Sequence, residues 1–451
     1  MEEPQQSHSG NTHPPEPVTL AQASRYWLKL GCISFGGPAG QIAIMHHDLV
    51  EKQRWISEKR FLHALNYCMA LPGPEAQQLA TYIGWLMHRT RGGIIAGSLF
   101  VLPSYFILLA LAWLYMAYGG VPAAAGLLYG IKPAVVAIVV FACYRIGART
   151  LKNSLLGAIS LCSFLAISFV HLPFPAIVLA AGLIGHFGGR ISPEHFKAGG
   201  GHDSGKQDFG AALIDDATLP PSHALFSWSK VVRIGLIGIA IWLAIMAALL
   251  VRYGWDSTFT QMGWFFTKAA LLTFGGAYAV LPYVYQGAVE SYHWLTPVQM
   301  IDGLALGETT PGPLIMVVTF VGFVGGWNRQ VFGADAVFAS ACLASAIVTF
   351  FTFLPSFIFI FLGGPFIETT HGNLKLTAPL TVITAAVVGV IASLAVFFGE
   401  HIFLPNGWNH PVDGFSLLLA SIAMLALFRF KGGVIPVILC CGIAGWIRSL
   451  L

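Results

Sequence analysis

Residues 34–38 read Ser34-Phe35-Gly36-Gly37-Pro38 and residues 71–74 read Leu71-Pro72-Gly73-Pro74, both inside apolar runs. At an offset of 239 residues the pattern returns as Thr273-Phe274-Gly275-Gly276 and Thr310-Pro311-Gly312-Pro313. The same offset pairs Lys29 with Lys268, Val50-Glu51 with Val289-Glu290 and Trp55 with Trp294, with no gap. Further along, an offset of 252 pairs Leu102-Pro103-Ser104 with Leu354-Pro355-Ser356 and Ala134-Val135-Val136 with Ala386-Val387-Val388. A register held this long marks a duplicated unit. Glycine admits backbone that other residues avoid and proline removes a helix donor, so each motif predicts a broken helix.

The rest of the 451 residues says where those helices lie. Charged residues are 10% of the chain, against roughly a quarter in soluble domains. Hydrophobic residues reach 56% and mean hydropathy is +0.72. So few charges cannot cover a soluble protein of this length. The apolar runs are continuous rather than alternating, which predicts an all-α polytopic membrane protein in the lipid bilayer and not a barrel. A formal charge of +4 is too small to suggest nucleic acid. The seven cysteines all lie in apolar segments without a CxxC and read as packing residues. No cofactor or metal motif is present, and His46-His47-Asp48 reads as a solvated loop.

Four regions follow: a disordered N-terminal tail (1–21), a first repeat (22–187), a polar Gly-rich linker (188–229) and a second repeat (230–451). The linker composition is that of a solvated loop. Loop 46–61 carries Lys52, Arg54, Lys59 and Arg60, whereas its equivalent 285–300 has no Lys or Arg. Arg145, Arg149 and Lys152 likewise have no basic counterparts in 397–404. By the positive-inside rule the two halves are inverted, with N-terminus and linker cytoplasmic; this is an inverted-topology repeat of two homologous halves, as secondary transporters have. Full spans are expected near 93–118, 121–144, 153–170, 173–188, 231–252, 333–362, 377–399, 414–428 and 433–449. Segments 22–45, 61–87, 262–287 and 299–326 are broken or re-entrant; if they cross fully, the count is 13.

A break in a buried helix exposes backbone N–H groups at a new helix N-terminus. Paired across an inverted repeat, such breaks form an anion site. Candidate binding groups are the glycines Gly36, Gly37, Gly73, Gly275, Gly276 and Gly312, with Ser34, Gln77 and Thr273 as side-chain donors. Intramembrane charges cost ~2.5–3.5 kcal/mol or more, so each needs a reason. Lys29 and Lys268 are repeat-related and suit a doubly charged anion, or else snorkel. Glu75 and Glu308 are candidate proton carriers or charge partners, or half-helix caps. Protons and a second copy of the chain are further candidate partners. No catalytic constellation stands out.

From Phe35-Gly36-Gly37-Pro38 through Trp55-Ile56-Ser57, Phe61-Leu62-His63-Ala64-Leu65-Asn66 and Leu71-Pro72-Gly73-Pro74-Glu75-Ala76-Gln77-Gln78-Leu79-Ala80-Thr81-Tyr82-Ile83-Gly84-Trp85, the chain closely resembles the chromate ion transporter family. Thr273-Phe274-Gly275-Gly276 and Thr309-Thr310-Pro311-Gly312-Pro313 match as well. The resemblance implies a bacterial inner-membrane protein that exports chromate and confers resistance. Sulfate, a dianion of the same shape, is the alternative substrate. A membrane enzyme acting on a lipid-linked phosphate is the remote alternative, with His46-His47-Asp48 as its sole candidate cluster.

Overall fold

The computed structural model describes residues 15–35, 37–191, 209–215, 218, 221–274, 276–370, 377–405, 407–430 and 432–450. The expected tail up to residue 14, linker residues 192–208, and both Gly36 and Gly275 lie outside the described residues.

Thr19 starts the first helix with a capping box, its hydroxyl accepting from the Gln22 N–H while Gln22 reaches back. That helix, α1 (Leu20–Ile33), is followed by α2 (Gly37–His46), α3 (Glu58–Ala70) and α4 (Glu75–Tyr118). The first half closes with α5 (Pro122–Thr150), α6 (Ser154–Ser168) and α7 (Phe174–Ile191). An extra helix, α8 (Trp228–Tyr253), precedes α9 (Thr258–Leu272), α10 (Ala277–Tyr285), α11 (Pro297–Thr309) and α12 (Val317–Arg329). Then come α13 (Val337–Thr370), α14 (Thr377–Phe403), α15 (Gly414–Phe428) and α16 (Val434–Leu450). Every expected span is helical. The only β pairing among the described residues is one isolated bridge, Ile56 to Ile214.

The duplication is visible in local geometry. Helices α3 and α11 have the same length, 13 residues, at the 239 offset. A π-helical turn occupies His47–Lys52 and recurs at Gln286–Ser291. Positive φ recurs at Arg54 and His293, Gly37 and Gly276, and Gly73 and Gly312. Helix α4 contains a kink where His88 and Arg89 leave helical geometry. The matching place in the second half is the left-handed Gln330 that ends α12. Thus α4 is the counterpart of α12 and α13 joined.

The halves pack through exchanged partners. Helix α5 lies on α15 and α16, and its counterpart α14 lies on α6 and α7. Among the described residues six helices are long and apolar enough to cross a membrane: within α4, α5, α7, α8, α13 and α14. Helices α6, α12, α15 and α16 are apolar but shorter. With a bilayer core of ~30 Å and ~1.5 Å rise per residue, their 13–17 residues fall short unless the interface is reached by flanking groups. The chain is a multi-pass membrane protein. Large apolar side chains such as Leu236, Val251, Leu179 and Leu418 are exposed on the outer faces, where lipid rather than water would meet them.

Part of the linker departs from the expected solvated loop. Leu213 N–H donates to the Arg54 carbonyl, Ile214 N–H to that of Trp55, and Ser57 N–H to that of Ile214. Arg60 donates to the Thr218 carbonyl at 2.7 Å, and His223 bonds that of Trp85 at 2.9 Å. Ile214 and Ala224 are buried there. A polar composition hid two apolar anchors that dock the linker on residues 54–57 and on α4.

Candidate functional site

The four breaks meet in two pairs. The N–H of Gly312 donates to the carbonyl of Ser34, and that of Gly73 to the carbonyl of Thr273, both at 2.7 Å. Ser34 and Thr273 end α1 and α9, where carbonyls lack helical partners. Gly312 and Gly73 supply the missing donors from the opposite half. Each bond is the other's image under the repeat, an exchange that a two-fold relation produces.

Both donor glycines are demanded by shape. Their φ values are +98° at Gly312 and +129° at Gly73. A methyl group on Gly312 would stand 2.6 Å from the Ser104 Cβ, and one on Gly73 would overlap the Ser356 hydroxyl. Ser104 and Ser356 are themselves repeat-related and follow Pro103 and Pro355 inside α4 and α13. Gly37 and Gly276 also have positive φ, but a methyl there would meet nothing within 4 Å. They open α2 and α10, whose first turns carry no acid. At α4 the first turn holds Glu75, which already compensates the helix dipole.

Around these crossings lie buried polar atoms without partners among the described residues. They include the hydroxyls of Ser34, Ser104 and Ser356 and the amide oxygens of Gln41, Gln77 and Gln78. Gln41 Nε2 donates to the Gly312 carbonyl at 2.5 Å, and Gln78 Nε2 to that of Pro72 at 2.8 Å. Gln77 Nε2 reaches Thr81 at 3.0 Å. Thr273 differs, since its hydroxyl donates to the Ala269 carbonyl at 2.7 Å. A cluster of open hydroxyls is what a polar ligand would fill.

The sequence-derived residues therefore divide. Ser34, Gly73, Gln77, Thr273 and Gly312 belong to the crossings. The N–H groups of Gly73 and Gly312 are already engaged by protein carbonyls, so these two glycines shape the site rather than donate to an anion. Gly36 and Gly275 lie outside the described residues. The structure does not bring Lys29 and Lys268 to the breaks. Lys29 is exposed, off the buried stripe Ala23, Tyr26, Trp27 and Leu30 of α1. Lys268 sits over the exposed Trp264 ring at 5.6 Å, on the outward stripe of α9. Both are placed as snorkelling residues are. Glu75 is half-buried with no hydrogen bond or ion pair among the described residues. Glu308 accepts from the Tyr278 hydroxyl and has Arg145 as its electrostatic neighbour.

Two buried acids, Asp302 and Glu368, stand in no motif that marks them in the sequence. Asp302, buried on α11, faces Lys132 at 3.6 Å and accepts from the Tyr115 hydroxyl at 2.9 Å. Glu368 on α13 accepts from Tyr82 at 2.5 Å and pairs with Arg60 at 3.4 Å. An acid alone in an apolar run was the available signal for each. Among the described residues no group of three or more His, Cys, Asp or Glu side chains is arranged to hold a metal.

The sequence model of the family described as chromate transporter matches residues 21–186 and 260–446. This chain belongs to the chromate transporter family. The unmatched stretch between the two regions contains the linker and α8. A chromate transport protein of Pseudomonas aeruginosa is 32% identical over 96% of this chain and 93% of that protein. One of Cupriavidus metallidurans is 30% identical over 95% of this chain and 92% of that protein. An uncharacterized transporter of Bacillus subtilis is 28% identical over 36% of this chain but 78% of its own length. No solved structure matches. The relatives are named transporters, and crossed helix breaks with open donors fit transport of an oxyanion.

Proposed function

We propose that this chain carries chromate out of the cell across the bacterial inner membrane and thereby confers resistance, its two halves working as an inverted repeat. The observation that carries this reading is the reciprocal pair of bonds, Gly312 to Ser34 and Gly73 to Thr273, with unpartnered hydroxyls beside both. The opposite basic content of loops 46–61 and 285–300 supports inversion. An anion at the crossings meets the N-termini of α2 and α10, with Gly37 and Gly276 giving unobstructed approach, and Ser34, Gln77 and Thr273 near it. Glu75 and Glu308 are the titratable groups nearest in sequence to the breaks and are the proposed proton or charge partners. In this reading Lys29 stays exposed and Lys268 stays half-buried against Trp264.

Energetics favour export. Moving one charge through 100 mV is worth ~2.3 kcal/mol, so a dianion leaving a negative cytoplasm gains ~4.6 kcal/mol. That sustains about a 2,000-fold outward gradient without protons. Everted membrane vesicles with an inside-positive potential reproduce this driving force. Accumulation of labelled chromate that sulfate hardly inhibits is the expected result. Equal or better transport of sulfate would shift the substrate, and no flux of either anion would overturn the reading.

A further inference from the structure

We propose that the hydroxyls of Ser104 and Ser356 are the side-chain donors that grip the transported oxyanion, making the site a hydroxyl-lined one. The inference rests on the oxyanion reading above and names residues of that same site.

Helical serines and threonines in an apolar setting usually satisfy themselves on the carbonyl four residues back. This protein follows that habit nearby: Thr349, Thr352 and Thr384 each do so, at 2.7–2.8 Å. Ser104 and Ser356 do not. Each is fully buried, at 0% and 1% exposure, and neither hydroxyl has a partner among the described residues. Burying an open hydroxyl is unfavourable unless something else completes it.

Both hydroxyls point at the crossings. The Ser104 Oγ lies 2.9 Å from where a Gly312 methyl would be, and the Ser356 Oγ abuts the same place on Gly73. Side chains at Gly312 and Gly73 would cover them; glycine leaves them open. Ser34, whose carbonyl holds Gly312, contributes a third free hydroxyl on that side. Thr273 does not, because its hydroxyl is engaged with Ala269. The anion thus has two open hydroxyls beside Gly312 and one beside Gly73. Lys29 is exposed and Lys268 leans on Trp264, so these hydroxyls bind the anion's oxygens by hydrogen bonds rather than through either lysine.

The test uses purified full-length protein with chromate as the probe, comparing wild type with Ser104→Ala, Ser356→Ala and the double variant. Without anion, each variant should melt at or above the wild-type temperature, since alanine removes an unsatisfied hydroxyl. With chromate, each should lose most of the anion-induced stabilisation, and in proteoliposomes the KM for chromate should rise about tenfold per serine. Lower anion-free stability in the alanine variants would show a structural role and overturn the assignment. Unchanged KM and unchanged stabilisation in the double variant would overturn it too. Wild-type protein that neither moves nor is stabilised by chromate or sulfate would instead remove the oxyanion reading, and the serines with it.

Discussion

Gly312 donates its backbone N–H to the Ser34 carbonyl at 2.7 Å, joining two breaks that are 278 residues apart, and Gly73 repeats the bond on Thr273. The breaks of one half are therefore completed by the other. Neither half can move its hairpin without changing the helix end of its partner, which is the coupling a carrier with one shared site needs.

Substitution of three of these glycines should separate shape from strain. Gly312→Ala and Gly73→Ala combine positive φ with overlap on Ser104 and Ser356. Each should cost about 2 kcal/mol or more and abolish transport. Gly276→Ala has positive φ but open space, so it should cost about 1–2 kcal/mol and retain part of the flux. Thermal unfolding in detergent with flux in vesicles checks the order. Equal effects at all three positions would contradict it.

Lys29→Ala and Lys268→Ala should leave chromate flux within about twofold of wild type, because neither side chain makes a hydrogen bond or ion pair with the breaks among the described residues. Lys29 is exposed, and Lys268 leans on Trp264. A loss above tenfold in either variant at normal membrane level would place a lysine at the anion after all.

The buried Asp302–Lys132 pair should behave as a unit. Asp302→Asn leaves the ammonium of Lys132 facing a neutral partner and should destabilise by about 3 kcal/mol. Adding Lys132→Met should recover much of that loss. A double-mutant cycle with no coupling would show that the 3.6 Å pair contributes nothing.

At the tip of the first hairpin, the hydrogen bond from His47 holds the carboxyl of Glu51 below the usual range, and His46 adds to it. A carboxyl held low stabilises the fold above its unfolded pKa, and that contribution is lost as pH falls through the folded value. Glu51→Gln should therefore lower stability by less than about 1 kcal/mol at neutral pH, with the difference vanishing in acid. Melting curves across the acidic range test this; a difference that grows on acidification would reverse the sign.

The architecture was legible because breaks must be written in particular residues. Gly73 and Gly312 adopt φ values that other residues resist, so the duplication of glycine and proline announced the duplication of backbone. Arg54 and His293 have positive φ too, yet arginine and histidine carry no such signal. The lysine pair was legible as a repeat, but its direction is set by helix face; the stripe Ala23, Tyr26, Trp27 and Leu30 turns Lys29 outward. Ser104 and Ser356 were visible only as repeat markers. That their hydroxyls lack partners is a tertiary fact, since a helical serine ordinarily finds the carbonyl four residues back.

The most direct measurement is to locate chromium itself, by anomalous scattering from crystals of the protein soaked in chromate. One dominant intramembrane peak is expected beside Gly73 and Gly312, within hydrogen-bonding distance of the Ser104 and Ser356 hydroxyls. A peak at Lys268 or Lys29, with the crossings empty, would contradict it.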